Sequence, residues 1–233
     1  MNEYKNYIKK VNIYRKELPF WLVIVFKSIF TAFLICCFIV ALFNFTHIGA
    51  PVDGDSMIPT FNNYNNGAID YVYISRFSGY SDFDIIVIKN PNINKKPVIK
   101  RLIAMEGEKI AIKKSETTSG YKLVKLVNNE IIEIEEPYLN DTTMSNSYAE
   151  WKELINKSEI DGAEKVVYNG TTFLEIKKGY IFYMGDNRYN SRDCLDYGPI
   201  SKDKVIGKVT IVAYENKNHF SYIFMHYVHK IFG

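Results

Sequence analysis

The sequence predicts a mainly β domain carried behind one membrane-spanning helix. Three observations carry that expectation. A long uncharged run lies close to the N-terminus. Short alternating apolar segments, separated by Gly and Asn clusters, fill most of the remainder. The regular exchange of strand-length and helix-length patterns that a βαβ array needs is missing.

Residues 1–27 form a basic segment. Lys5, Lys9, Lys10, Arg15 and Lys16 stand against Glu3 and Glu17, so this end is expected in the cytoplasm. The run "SIFTAFLICCFIVALFNF", Ser28 to Phe45, carries no charge, and Leu22 to Phe26 extends it beyond Lys27. It is long enough to cross a hydrocarbon core of roughly 30 Å, and the anchor is placed at 28–46. Lys27 can snorkel to the headgroups. The apolar run exceeds a usual secretory h-region, and "FTHIGA" is a poor cleavage site. A retained, single-pass anchor is therefore expected, with the rest of the chain outside the cell membrane.

The β core is assigned to 47–112 and 173–215. "GAIDYVYI" (67–74), "FDIIVIK" (83–89), "PVIKRLIAM" (97–105) and "KIAI" (109–112) read as strands. "YKLVKLVNNEIIEIEE" reads as a hairpin turning at Asn128-Asn129. "TTFLEIKKGYIFYMG" and "VIGKVTIVAYE" read as two further strands. Residues 113–172 are more polar and read as a smaller inserted subdomain, with a short helix over 147–160. The tail, 216–233, has apolar residues at helical spacing and is too short to span a membrane. It is expected to be amphipathic. His226 and His229 lie three apart there without further ligands, so they read as solvated or headgroup-facing.

Composition excludes several classes. A net charge of +3 makes no case for nucleic acid. Cys36 and Cys37 are adjacent in the apolar run and Cys194 stands alone, so no disulfide framework is expected. No Cys/His spacing suits a metal, and no cofactor is expected.

"GDSMIPT", Gly54 to Thr60, isolates a serine just past the anchor. A serine hydroxyl attacks only when a base takes its proton. His47 sits at the membrane edge and the other histidines are in the tail. A lysine can serve if apolar burial disfavours its charged form. Lys100, in "VIKRLIAMEGE", shares a strand face with Val98 and Leu102, with Arg101 on the other face. A third stretch, "MGDNRYNSRDCLDYGPI" (184–200), crowds small hydrogen-bonding residues into one loop. Taken singly, a strand lysine more often guards an edge, and such a loop is a polar turn.

Together, in this order and behind an anchor, the three stretches resemble bacterial type I signal peptidases. "GDSMIPT" looks like that family's serine box, "IKRLIAMEGE" like its lysine box and "GDNRYNS" with Asp193 like its third box. "DIIVIK" (84–89) is similar to its Gly-Asp-led strand box, with Phe83 in place of Gly. The resemblance covers residues 20–214, weakly between 113 and 172. It implies an antiparallel β catalytic domain and a Ser-Lys endopeptidase. Ser56 would be the nucleophile, with its own N–H in the oxyanion hole, and Lys100 the general base. Ser191 would orient the Lys100 amine. Met57 and Ile99 would border the substrate pockets. Arg101, Asp186 and Asp193 would hold the Lys100 strand against the third loop by ion pairs. Partners would be secreted preproteins with Ala-x-Ala-like sites, the lipid bilayer and the secretion translocon. Gly54 leaves out the serine donor that some members have two residues before the nucleophile.

Two departures stand out. Cys194-Leu195 replace the usual Ser-Arg, which leaves Asp193 to pair with Arg101 or Arg192. Glu106 replaces a proline and is expected to loosen the turn after the lysine strand. Two rival readings share the scaffold. One is a processing peptidase dedicated to a single precursor such as a pilin. The other is a non-catalytic assembly factor, which retention of both Ser56 and Lys100 argues against.

Overall fold

The structure, a computed structural model, describes residues 3, 5, 19–63, 69–89, 96–115, 119–139 and 144–214. The expected tail helix and most of the basic segment lie outside them. The chain forms two compact units, Met1–Phe45 and Thr46–Gly233.

The first unit contains a helix, α1 (Phe20–Thr46), of 27 residues with no buried side chain. At 1.5 Å per residue it is roughly 40 Å long. It is long and apolar enough to cross a bilayer. It starts ahead of the expected 28–46 because Lys27 is a good helix former and does not interrupt it.

The second unit is two antiparallel sheets. The larger has seven strands in the order β1-β2-β12-β3-β4-β10-β11. These are β1 (His47–Pro51), β2 (Tyr71–Ser75), β3 (Ile85–Ile88), β4 (Val98–Ala104), β10 (Tyr180–Met184), β11 (Ile200–Ser201) and β12 (Val205–Ala213). The smaller has five strands in the order β7-β6-β5-β9-β8. These are β5 (Lys109–Lys114), β6 (Tyr121–Val127), β7 (Glu130–Glu133), β8 (Ala163–Tyr168) and β9 (Thr171–Ile176). Among the described residues this unit also has two α-helices, α2 (Met144–Asn156) and α3 (Cys194–Tyr197).

The hairpin at Asn128-Asn129 forms as the sequence predicts. Both residues take positive φ, 51° and 65°, which lets the turn follow the strand twist. Elsewhere the chain is more finely cut than its pattern. "TTFLEIKKGYIFYMG" is not one strand: it divides at Gly179 (φ 84°) into β9 and β10, which belong to different sheets. The 113–172 span is richer in strand than its polarity implies, because β8 is an edge whose side chains are largely wet. The two-residue β11 carries too few residues to show alternation.

One large core joins the two sheets. Ile86, Leu102, Ile103, Ile110, Leu123, Phe173 and Phe182 are almost fully buried in it. Trp151 of α2 enters the same core and meets Phe182 edge-on, with ring centroids 6.4 Å apart. A smaller cluster, including Met57, Phe61, Val72, Ile74 and Val87, lies under the Ser56 loop. Trp151→Ala is expected to cost about 3–5 kcal/mol, read as a lowered midpoint of thermal unfolding in detergent.

Candidate active site

Ser56 lies in a turn between exposed Asp55 and buried Met57. The base of this loop is closed by Asn62. Its amide nitrogen donates to the carbonyls of Val52 (2.8 Å) and Gly54 (3.2 Å), its side-chain oxygen accepts from Asp70 N–H (2.9 Å), and its own N–H donates to the Asp70 carboxylate (2.9 Å). The tip is tied to the third loop. Asn187 N–H donates to Ser56 O at 3.0 Å, and Asn187 Nδ2 to Asp55 O at 3.0 Å. Backbone groups, rather than the reactive side chain, therefore fix where Ser56 sits.

Lys100 lies on β4, between β3 and β10. It pairs with Ile86 on one side. On the other, the Arg101–Met184 pair leaves it level with the point where β10 runs into Gly185. Only 2% of its surface is exposed. Burial pushes its amine below the ordinary 10.5, while the nearby charges of Asp193, Asp186 and Asp196 pull the other way without reversing the shift.

Gly185 is where the pieces meet. A Cβ there would come within 2.1 Å of Ser191 Oγ and 2.5 Å of Ser56 O. No side chain fits, so residue 185 must be glycine for these two serines to approach. The Ser191 hydroxyl is buried and, among the described residues, meets no partner at strict hydrogen-bonding geometry. Its dipole nonetheless helps lower the Asp193 carboxyl. Among the described residues no direct hydrogen bond joins Lys100 Nζ to Ser56 or Ser191. Loose apo hydrogen bonds are common where groups tighten around a substrate.

Asp186 is gripped by Arg101: Nε donates to Oδ1 at 2.8 Å and Nη2 to Oδ2 at 2.5 Å. Thr60 adds a hydroxyl donor to Oδ2 at 2.5 Å. Arg101 also reaches Phe83 O at 2.8 Å and stacks over Tyr138, 3.8 Å from the ring centroid. Asp193 differs from expectation. Among the described residues no arginine pairs with it. Its carboxylate accepts from the backbone N–H of Gly185 (2.9 Å) and of Leu195 (3.1 Å), capping α3. Burial pushes this carboxyl up, and those N–H donors hold it back. Glu106, expected to loosen its turn, links that turn to the one before β10. It accepts from Gly179 N–H at 2.6 Å and pairs with Lys202 at 3.1 Å.

Beside Ser56 runs a groove of about 380 Å³. Met57, Ile99, Ile48, Ala50, Ile74 and Val87 line it, with Ser56 at its wall. Both expected pocket residues, Met57 and Ile99, are among them. Sequence reasoning passed over Thr60, Asn62 and Tyr138, and gave Asn187 and Arg188 only a general place in the third loop. Three of these lie inside the quoted motifs, but a polar residue in a turn carries no mark of its distant partner.

The seven-stranded sheet thus carries a groove, a loop serine and a buried lysine within one unit. Comparison with known proteins is specific. The family model described as "Signal peptidase, peptidase S26" matches residues 22–214, and the chain belongs to this family. It is similar to Signal peptidase I V of Bacillus subtilis, 28% identical over 167 residues, spanning 72% of this chain and 86% of that protein. Signal peptidase I of Bacillus caldolyticus is 27% identical over 178 residues, 76% of this chain and 85% of the other. The mitochondrial ATP-independent inner membrane protease subunit 1b of Arabidopsis thaliana is 24% identical over 173 residues, 74% and 73% respectively.

The buried charges act on stability in opposite senses. Asp186→Asn strands the Arg101 guanidinium and is expected to cost about 3–5 kcal/mol, read by thermal unfolding in detergent. Lys100 acts in the opposite sense. Its folded-state pKa is depressed, so the unfolded chain binds the extra proton between that value and 10.5. Stability from this group therefore rises with pH through that window and is withheld below it. Lys100→Met should raise the unfolding midpoint at pH 7, with the gain shrinking toward pH 10.5.

Proposed function

We propose that this protein is a membrane-anchored serine endopeptidase that removes signal peptides from exported preproteins with a Ser56–Lys100 dyad. The observation that carries this reading is the corner at Gly185. A buried amine with a depressed pKa lies level with a glycine wedged between Ser56 and Ser191. Burial that disfavours the ammonium suits a lysine to act as a base, and few other roles repay its desolvation.

Neutral Lys100 takes the Ser56 proton as Oγ attacks the scissile carbonyl. The buried Ser191 hydroxyl, beside Gly185, orients the amine. The Ser56 N–H stabilises the oxyanion. Lys100 then protonates the leaving amine, releasing the mature protein and leaving the signal peptide as an acyl group on Ser56. Water activated by Lys100 frees that peptide. The cleavage segment lies in the groove as an extended strand, with apolar walls taking small side chains. Arg101, Asp186 and Asp193 support the loop and do not touch substrate. Helix α1 anchors the chain with its basic N-terminal side in the cytoplasm, and the β unit works on the outer face.

The test is cleavage of a preprotein with an Ala-x-Ala site by the full-length protein in detergent. Ser56→Ala and Lys100→Ala should each abolish it. Retained cleavage in either variant would sink the dyad. Gly185→Ala should lose cleavage while Ser56 and Lys100 remain, because its Cβ drives Ser191 and the Ser56 carbonyl apart. The rate should rise with pH through the free-enzyme pKa of Lys100, below 10.5. A flat profile across the alkaline side would contradict a lysine base.

A further inference from the structure

We propose that Glu136 is a positioning residue for the Ser56–Lys100 site, acting through Arg188 on Gly185. The inference rests on the dyad reading and extends it to the five-stranded sheet.

Glu136 lies in the segment that leaves β7, within the span 113–172. Its side chain is 6% exposed, and Arg188 opposite it is 0% exposed. The guanidinium and carboxylate meet as a fork: Nη2 donates to Oε1 at 2.6 Å and Nη1 to Oε2 at 3.2 Å. Arg188 Nε is thereby aimed at Gly185 O, 2.9 Å away. Met144 Sδ of α2 closes the remaining side at 2.9 Å from Nη1. The chain of contacts thus runs from the smaller sheet to the glycine wedged between Ser56 and Ser191.

The second end of the same segment reaches the other arginine. Tyr138 donates its hydroxyl to Glu136 Oε1 at 2.7 Å and lays its ring on Arg101, which holds Asp186. Residues 136 and 138 therefore brace the loop through two arginines, one at Gly185 O and one at Asp186. The third anchor is Asp193, at the Gly185 N–H. A buried ion pair is a poor device for stability alone, since an apolar replacement of equal volume often does as well. A planar fork that fixes the direction of a third donor is a good device for geometry.

The experiment compares the full-length protein with Glu136→Gln and Glu136→Asp in detergent. Gln keeps the shape and loses the charge, whereas Asp keeps the charge. Initial rates on the Ala-x-Ala preprotein give kcat and KM. Hydrogen exchange read by mass spectrometry gives protection of residues 184–193 and, separately, of β5 and β9. Glu136→Gln should lower kcat on the order of 10- to 100-fold with KM within about two-fold, because misplacement acts on the chemical step. Exchange in 184–193 should quicken while β5 and β9 stay protected. Glu136→Asp should recover part of the lost kcat.

Unchanged kcat with unchanged loop exchange in Glu136→Gln overturns the proposal. So does a loss of kcat in which β5 and β9 exchange as fast as the loop, since that marks general loosening. If the unmodified protein cleaves nothing, the dyad reading fails on its own. The exchange arm then still decides whether Glu136 holds the loop: faster exchange confined to 184–193 supports it, and unchanged exchange overturns it.

Discussion

Keeping the Lys100 amine dry is the condition on which the architecture near the site depends. An ammonium taken out of water without a close anion is destabilised, so burial pulls the Lys100 amine below its ordinary value. That outcome requires carboxylates near enough to orient the loop but not paired with the amine. Asp186 meets this by spending both oxygens on Arg101 and Thr60. Asp193 meets it by facing backbone N–H groups. Glu150 of α2 feels the same accumulation of negative charge. Burial, with Asp193, Asp196 and Glu153, pushes its carboxyl up to about 7.

The second constraint is steric. Three chain segments converge at Gly185, and a single methyl group there would meet Ser191 Oγ and Ser56 O. Placement of the reactive groups is therefore delegated to backbone contacts. Ser56 is held through its carbonyl by Asn187, and Gly185 through both its N–H and its carbonyl. Two arginines bind the loop to its surroundings, Arg101 from β4 and Arg188 to Glu136.

Where the chain departs from the family pattern, neighbouring groups take over the missing contacts. Without an arginine two residues after it, Asp193 caps α3 and pins Gly185. Cys194 buries a thiol that accepts the Tyr183 N–H at 3.2 Å, a packing role. Burial raises that thiol's pKa and keeps it unreactive. Glu106 replaces a rigid ring with hydrogen bonds from the neighbouring turn.

The sequence by itself determined the apolar span, the β class, the Asn128-Asn129 hairpin and the candidates Ser56, Lys100 and Ser191. Those features are local: an uncharged run, a two-residue alternation, a turn dipeptide, motifs of a few residues. The tertiary structure decided what had no local signature. It divided one apparent strand between two sheets at Gly179, because alternation is blind to which sheet a strand joins. It gave Asp193 backbone partners, and it joined Glu136 to Arg188 across 52 positions of sequence. It also buried both Lys100 and Arg101, neighbours on opposite faces of β4. A strand at the middle of a sheet covered on both sides has no wet face, and only packing tells the chain which strand that is.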